Sequence, residues 1–449
     1  MMIARGIALM LALILYPLQC APVARAAPPA AVPVPVEPKS QLSASAQRAY
    51  ETARDKLLQV RTLLRDQDSQ ASVGSGFIVS SEGHVITNYH VVSQVALQPQ
   101  RYRLTYTRAD GATGVLQLLA IDALHDLALV RMVSAPDTAA RALAVLAFRP
   151  QARALDTGER IYSLGNPLDI GFAVLEGNYN GLVSRSYYPQ IFFAGALNPG
   201  MSGGPVLDGE GRVVGINVAT RLDGQQVSFL VPSQFAEELL ARGRNAPPVA
   251  GDWYPELTRQ LLAHQALLVQ RFISQPWRSA GQARYRIPVP QEEFMRCWGS
   301  SSRAETKGLE YQRSDCRMDS AVFVSGRLQT GRLTARHEVY DGTKLGSLRF
   351  ARVYSASFRN EFFGGGASTT APHCKESLVD REGLPLRAVV CLSAYRKLKG
   401  LYNLSVLVAT VDADIQGVQG RLDAHGIDFD NALRLTDHYL QGYAWNGSH

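Results

Sequence analysis

At 449 residues the chain is long enough for two or three domains, and with 46% hydrophobic and 19% charged residues it has the composition of an ordinary globular protein. The formal net charge of +7 is mild for this size, and no Lys/Arg run marks a nucleic-acid surface, so a solvated, slightly basic exterior is expected and no nucleic-acid partner. No internal repeat is evident, and no apolar run past the first twenty residues could cross a bilayer, so no transmembrane segment is expected in the mature chain.

The first 26 residues read as a signal peptide. Arg5 supplies the charged start, Gly6 to Leu18 the apolar core, and Ala24-Arg25-Ala26 the small-x-small cleavage site, which places the mature protein in the periplasm or outside the cell. A lipoprotein anchored at Cys20 is the rival reading, but Gln19 stands where a small residue would be wanted. Cleavage near Ala26 removes Arg5 and Arg25 and no acid, which lowers the net charge by two. Residues 27–42, with Pro28, Pro29, Pro33, Pro35 and Pro38, form an extended polyproline-prone linker.

Ser43 to Arg54 can form a short helix, and Lys56 to Leu64 a first strand. From there to about Leu240 short runs rich in Val, Ile, Leu and Tyr alternate with turn residues, the signature of an all-β domain. Gly74 to Ser80 is followed by a turn at Glu82-Gly83 and by the apolar run around His90. Tyr102 to Thr107 and Val115 to Ile121 make a hairpin across Asp110-Gly111, and Leu127 to Met132 follows. Arg160 to Pro167, Gly181 to Tyr188, Arg212 to Thr220 and Gln226 to Ser233 continue the series. Many short strands without long helices between them mean a barrel or sandwich. Gln234 to Arg242 closes the domain as a helix, ended by Gly243 and Pro247-Pro248, so residues 43–243 form one domain.

Residues 253–449 form a second, smaller domain. A helix over Trp253 to Phe272 precedes strands at Ala321 to Val324, Ala388 to Tyr395 and Tyr402 to Val411, and an amphipathic helix at about Phe429 to Tyr443, a pattern of α+β type. Tyr354 to Phe363 is aromatic-rich and reads as core. This domain holds Cys297, Cys316, Cys374 and Cys391, an even number in an exported chain, so two disulfides are expected. Sequence neighbours would pair as Cys297–Cys316 and Cys374–Cys391, with two other connectivities open. A zinc site lacks any CxxC or HExxH spacing, and Asp412 and Asp414 lack the rest of a calcium pattern, so no metal and no cofactor is expected.

Three segments carry chemistry: Thr87 to Val92 (TNYHVV), His125 to Val130 (HDLALV) and Asn198 to Val206 (NPGMSGGPV). A serine hydroxyl is a poor nucleophile until a base takes its proton and a carboxylate orients that base. His90 would be the base, Asp126 the orienting carboxylate and Ser202 the nucleophile, while the amides of Gly200 and Ser202 are placed to meet a tetrahedral oxyanion. His84 and His125 read as packing or surface residues. The rival to an enzyme is a latent scaffold on the same fold that acts through its C-terminal domain.

These segments, with Gly165 to Pro167 (GNP), resemble the chymotrypsin-fold peptidases of the HtrA/Deg type over roughly residues 56–242. The resemblance implies a double β-barrel with the site at the barrel junction, serine endopeptidase activity through an acyl-enzyme, protein or peptide substrates, and His90, Asp126 and Ser202 as the triad. It also implies a primary specificity pocket based on Ala196 and walled by Asn217, Val218 and Ala219. Two features depart from the pattern. Met201 precedes the serine, where it cannot pair with a freed N-terminus, and no recognisable PDZ carboxylate-binding loop follows Gly243. The C-terminal domain is expected to fold separately and to position substrate, leaving a chain that ends near Val249 able to hydrolyse small esters.

Overall fold

Helix α1 (Ala44–Ala53) is the first element among the described residues; the hydroxyl of its N-cap, Ser43, accepts the Ala46 N–H. The computed structural model describes residues 42–133, 143–220, 226–282, 284–303, 308–359, 366–411 and 415–446. The expected signal peptide, Cys20, nearly all of the proline-rich linker, and Asp412 and Asp414 lie outside the described residues.

Strands β1 (Leu57–Leu64), β2 (Gln70–Ile78), β3 (His84–Asn88), β4 (Tyr102–Arg108), β5 (Thr113–Asp122) and β6 (Leu127–Val133) close a first barrel in the order β1-β2-β3-β6-β5-β4. Helix α2 (Tyr89–Leu97) leaves directly from the end of β3. A second barrel, order β10-β11-β12-β9-β8-β7, is built from β7 (Arg160–Gly165), β8 (Ala173–Leu182), β9 (Ile191–Ala194), β10 (Pro205–Leu207), β11 (Val213–Thr220) and β12 (Val227–Pro232), and helix α3 (Ser233–Gly243) follows. Closure pairs every strand on both sides and leaves no free edge. The fold is the expected double barrel.

Helix α4 (Tyr254–Ser274) leads into the C-terminal region: β13 (Arg278–Gln282), β14 (Tyr285–Val289), β15 (Met295–Ser301), β16 (Glu310–Met318), β17 (Val322–Ser325), β18 (Leu328–Thr330), β19 (Arg332–Asp341), α5 (Ser347–Ser357), β20 (His373–Arg381), β21 (Leu384–Ala394), β22 (Tyr402–Thr410), β23 (Gln416–Ile427), α6 (Phe429–Gln441) and β24 (Ala444–Trp445). Seven of these form an antiparallel sheet, order β15-β16-β19-β23-β22-β21-β20. One face buries Leu333, Val406 and Leu422 against Phe272 of α4 and Leu435 and Tyr439 of α6. The other face carries ion pairs, Arg336–Asp315 at 2.9 Å and Arg421–Asp423 at 2.7 Å among them. The expected disulfides are present: Cys297–Cys316 joins β15 to β16, and Cys374–Cys391 joins β20 to β21. Each fastens one edge strand of the sheet to its inner neighbour.

The C-terminal region does not stand clear of the barrels. Trp253, Leu257 and Leu261 of α4, Val322 and Val324 of β17, and Leu398 and Leu401 share a single apolar core with Leu58, Val60, Val85 and Val130 of the first barrel.

Candidate active site

The site begins where β3 becomes α2. Asn88 ends the strand, and His90 sits in the first helical turn, where backbone N–H groups lack intrahelical acceptors. Asp126, in the turn between β5 and β6, supplies one: its Oδ1 accepts the His90 N–H at 2.8 Å. Its Oδ2 lies 2.6 Å from His90 Nδ1. The Asp126 carbonyl accepts from Tyr89 N at 3.0 Å and from Asn88 Nδ2 at 2.8 Å. Asp126 holds φ of +54°, a left-handed conformation that aspartate tolerates better than most residues. One carboxylate therefore caps the helix and orients the imidazole. With the Nδ1 proton directed at Asp126, Nε2 is left as the acceptor a general base needs.

Burial of the His90 ring disfavours its charged form, but the Asp126 carboxylate, by its charge and by its hydrogen bond, outweighs that effect and holds the pKa above the ordinary histidine value. The His90 side chain keeps 30% of its surface exposed, enough to meet a substrate.

Ser202 comes from the second barrel, in the loop before β10. The loop is held from both sides. From the first barrel, Ser75 of β2 donates its N–H to the Ser202 carbonyl at 2.7 Å and its hydroxyl to the Gly200 carbonyl at 2.7 Å. From below, the Asn217 amide donates to the carbonyls of Leu164, at 2.9 Å, and Met201, at 3.2 Å, while its Oδ1 accepts the Ser163 hydroxyl at 2.8 Å. Gly203 has φ of +85° and lies so close to Ser75, Thr87 and Asn88 that a Cβ there would collide with the Ser75 carbonyl. The Ser202 loop is thus laid against the end of β3, next to His90 at the start of α2.

Met201 is fully buried in the second barrel's core with Ile161, Phe193, Val206 and Leu230. An apolar anchor thus fixes the residue before the serine, and no ion pair with a freed N-terminus is needed to do so. Gly200 has φ of +94°, and among the described residues neither its N–H nor that of Ser202 has an acceptor. Two free donors in one tight loop are what a developing oxyanion requires. The Ser202 hydroxyl donates to the Val218 carbonyl at 3.2 Å, and among the described residues no hydrogen bond joins it to His90.

Of the four expected pocket residues, Ala196 is exposed, Val218 half-buried and Asn217 fully buried, and Ala219 pairs with Phe229 across β11 and β12. Asn217 therefore serves as a strut under the serine loop and not as a wall facing substrate. His84 is buried between Ser80 Oγ, 2.6 Å from its Nδ1, and the Arg244 carbonyl, 3.0 Å from its Nε2, a packing role as expected. His125 stacks on Phe235 and pairs with Asp122 at 3.0 Å. Ser75 is the residue that sequence reasoning missed; a polar side chain between two glycines, Gly74 and Gly76, was the available signal.

Residues 74–216 match the family model of the trypsin-like peptidase domain. The double barrel carries a trypsin-like peptidase domain. A relative from Synechocystis, a serine protease HhoB by name, is 33% identical over 208 residues, covering 43% of this chain and 47% of its own length. A Marinomonas relative, named as a DegP-like periplasmic serine endoprotease, is 27% identical over 286 residues, 59% of this chain and 57% of its own. The chain spans about half the length of these curated relatives. A solved chain, the serine endoprotease from Yersinia pestis, aligns with 22% identity over 46% of this chain and 69% of its own, with a TM-score of 0.38. No helix of the described residues is long and apolar enough to cross a membrane.

Proposed function

We propose that the chain is an exported serine endopeptidase working through an acyl-enzyme, with residues 43–243 as the peptidase domain and 253–449 as a C-terminal domain. Nε2 of His90 takes the Ser202 proton as Oγ attacks the scissile carbonyl, Asp126 stabilises the imidazolium, and the amides of Gly200 and Ser202 hold the oxyanion. The protonated His90 then delivers its proton to the leaving amine, and water repeats the sequence to release the acid. The observation that carries this reading is the His90–Asp126 contact at 2.6 Å beside a serine loop with two amides free of acceptors among the described residues. Periplasmic residence is supported by the signal-peptide reading of the first 26 residues and by the likeness to the Marinomonas relative, a DegP-like periplasmic serine endoprotease by name.

The second reading, a latent scaffold, draws on one observation: the Ser202 hydroxyl is directed at Val218 and not at His90. A rotation about the Ser202 χ1 bond would redirect it, and catalytic hydrogen bonds often tighten only with substrate bound. A fluorophosphonate probe separates the two, because only an activated serine reacts. Labelling of wild type, with loss of labelling and of casein cleavage in Ser202→Ala, is expected; loss on the order of a millionfold in kcat accompanies removal of such a nucleophile. An unlabelled wild-type protein would favour the scaffold.

A further inference from the structure

The C-terminal region reaches the catalytic pair. Hairpin β17–β18 stands apart from the seven-stranded sheet and lies on α2. Val322 and Val324 are buried in the core shared with the first barrel, and the half-buried Phe323 between them packs at the margin of that core, beside α2. Its ring stands edge-on to the His90 imidazole, centroids 6.1 Å apart and planes at 74°. It makes a second edge contact with Tyr89 at 6.1 Å. The Tyr89 hydroxyl donates to the Val324 carbonyl at 2.9 Å, and both residues are buried.

The far end of the hairpin is tied to the other barrel. The Gly331 carbonyl, just past β18, lies 2.9 Å from Nε2 of His264 in α4, and Nδ1 of the same ring lies 2.8 Å from the Tyr188 hydroxyl, in the loop between β8 and β9. A carbonyl can only accept, so Nε2 carries the proton and Nδ1 accepts from Tyr188. Burial lowers the His264 pKa, in keeping with that neutral tautomer. The hairpin is thus bonded at one end to the barrel that holds His90 and, through His264, at the other to the barrel that holds Ser202.

We propose that Phe323 is a positioning residue for His90, and that through hairpin β17–β18 the C-terminal region completes the active site of the peptidase domain. The proposal rests on the acyl-transfer reading above. Asp126 fixes the imidazole at Nδ1 and leaves it free to swing about that bond; the Phe323 ring, held by the Tyr89–Val324 bond, restricts the swing. It also covers part of the imidazole with apolar surface. Among the described residues, the Asp126 carboxylate is the charged group acting on His90; Tyr89, kept protonated by burial, and Phe323 add no charge.

The test uses the full chain. Wild type is first titrated with a fluorophosphonate; failure to label defeats the acyl-transfer reading itself, and this proposal with it. Given labelling, Phe323→Ala, checked for folding by its melting profile, is expected to lower kcat on a short chromogenic peptide by roughly tenfold to a hundredfold, the scale of a misplaced catalytic group. KM should stay unchanged, and the acid limb of the kcat profile should move to higher pH as water replaces the ring. Phe323→Leu, which keeps apolar bulk, should rescue part of kcat and part of the limb. A folded Phe323→Ala with wild-type kcat and limb overturns the proposal, as does a change confined to KM, which would mark a substrate wall. If the alanine variant does not fold, a folded Phe323→Leu indistinguishable from wild type in kcat and limb overturns it equally.

Discussion

The side-chain amide of Asn217 donates to the carbonyl of Met201 at 3.2 Å, directly behind the proposed nucleophile. The same side chain also bonds Leu164 and Ser163, and the Asn217 backbone carbonyl accepts from Gly203. The loop that must present Ser202 and two amides at fixed positions therefore hangs from one buried asparagine and from Ser75. Asn217→Ala removes its bonds to the Met201 and Leu164 carbonyls and the Ser163 hydroxyl from a buried site; the Met201 carbonyl keeps the Gly204 N–H, and a loss of about 0.5–1.5 kcal/mol per bond is expected. A lowered melting temperature together with reduced fluorophosphonate labelling in the folded fraction is expected. A variant with wild-type stability and labelling would show that Asn217 does not hold the loop.

The pH dependence follows from His90. Only its neutral form can accept the Ser202 proton, so kcat/KM should rise through a pKa above the ordinary histidine value. Asp126→Asn removes the charge that raises that pKa, leaving burial to depress it. The acid limb should move to lower pH, while kcat falls on the order of 10⁴-fold because the tautomer is no longer fixed. The stability linkage has the opposite sense: a raised folded-state pKa stabilises the fold fully below the unfolded histidine value, and this contribution is lost as pH rises through the folded one. An acid limb unmoved in Asp126→Asn would count against the assignment.

Most of the double barrel was legible because its strands alternate and its turns carry Gly, Asn and Asp. The exceptions have physical causes. The run around His90 reads as strand because Val91 and Val92 are β-branched, yet α2 starts at Tyr89; the carboxylate capping it comes from Asp126, 36 residues away. Gly181 to Tyr188 reads as one strand, but β8 ends at Leu182, and Tyr187 and Tyr188 turn to pack around His264. Strands β19 and β23 escaped because Arg336, Glu338, Arg421 and Asp423 interrupt their apolar pattern on the face that carries ion pairs. Tyr354 is core as read, in α5, although 360–365 fall outside the described residues. The three residues proposed for the chemistry announced themselves by local motif; Ser75 and Phe323, whose contacts with them are wholly tertiary, did not.

Primary specificity should favour small or medium apolar side chains. Ala196 and Val218 offer no carboxylate, and a P1 Lys or Arg buried without a partner would be costly. A peptide library should therefore be cleaved after residues such as Ala, Val and Leu. A profile dominated by Arg or Lys at P1 would reject this pocket assignment.

The disulfides should matter to the sheet and not to the chemistry. Each closes a short loop, with separations of 19 and 17 residues, for which chain entropy suggests roughly 3 kcal/mol apiece. Because they fasten edge strands, their loss also frees edges that can pair with another chain. Oxidised protein should be lighter than reduced protein by four hydrogens, and reduction should lower the melting temperature and promote association before it affects labelling of Ser202. Four alkylatable thiols in protein isolated from its own compartment would contradict the pairing.

Truncation gives the sharpest outcome. A chain ending near Val249 was expected from the sequence to retain ester hydrolysis, on the premise that the C-terminal region folds and acts apart. The shared core argues the reverse. Removing Trp253, Leu257, Leu261, Val322, Val324, Leu398 and Leu401 would uncover the surface around α2 on which they lie, a contiguous apolar patch of the kind that drives association. The Tyr89 hydroxyl would lose the Val324 carbonyl as well. The truncated chain should therefore be poorly soluble or, where folded, labelled by fluorophosphonate far more slowly than the full chain. A soluble, cooperatively folding truncation with full labelling would restore the independent module and confine the role of residues 253–449 to substrates or partners.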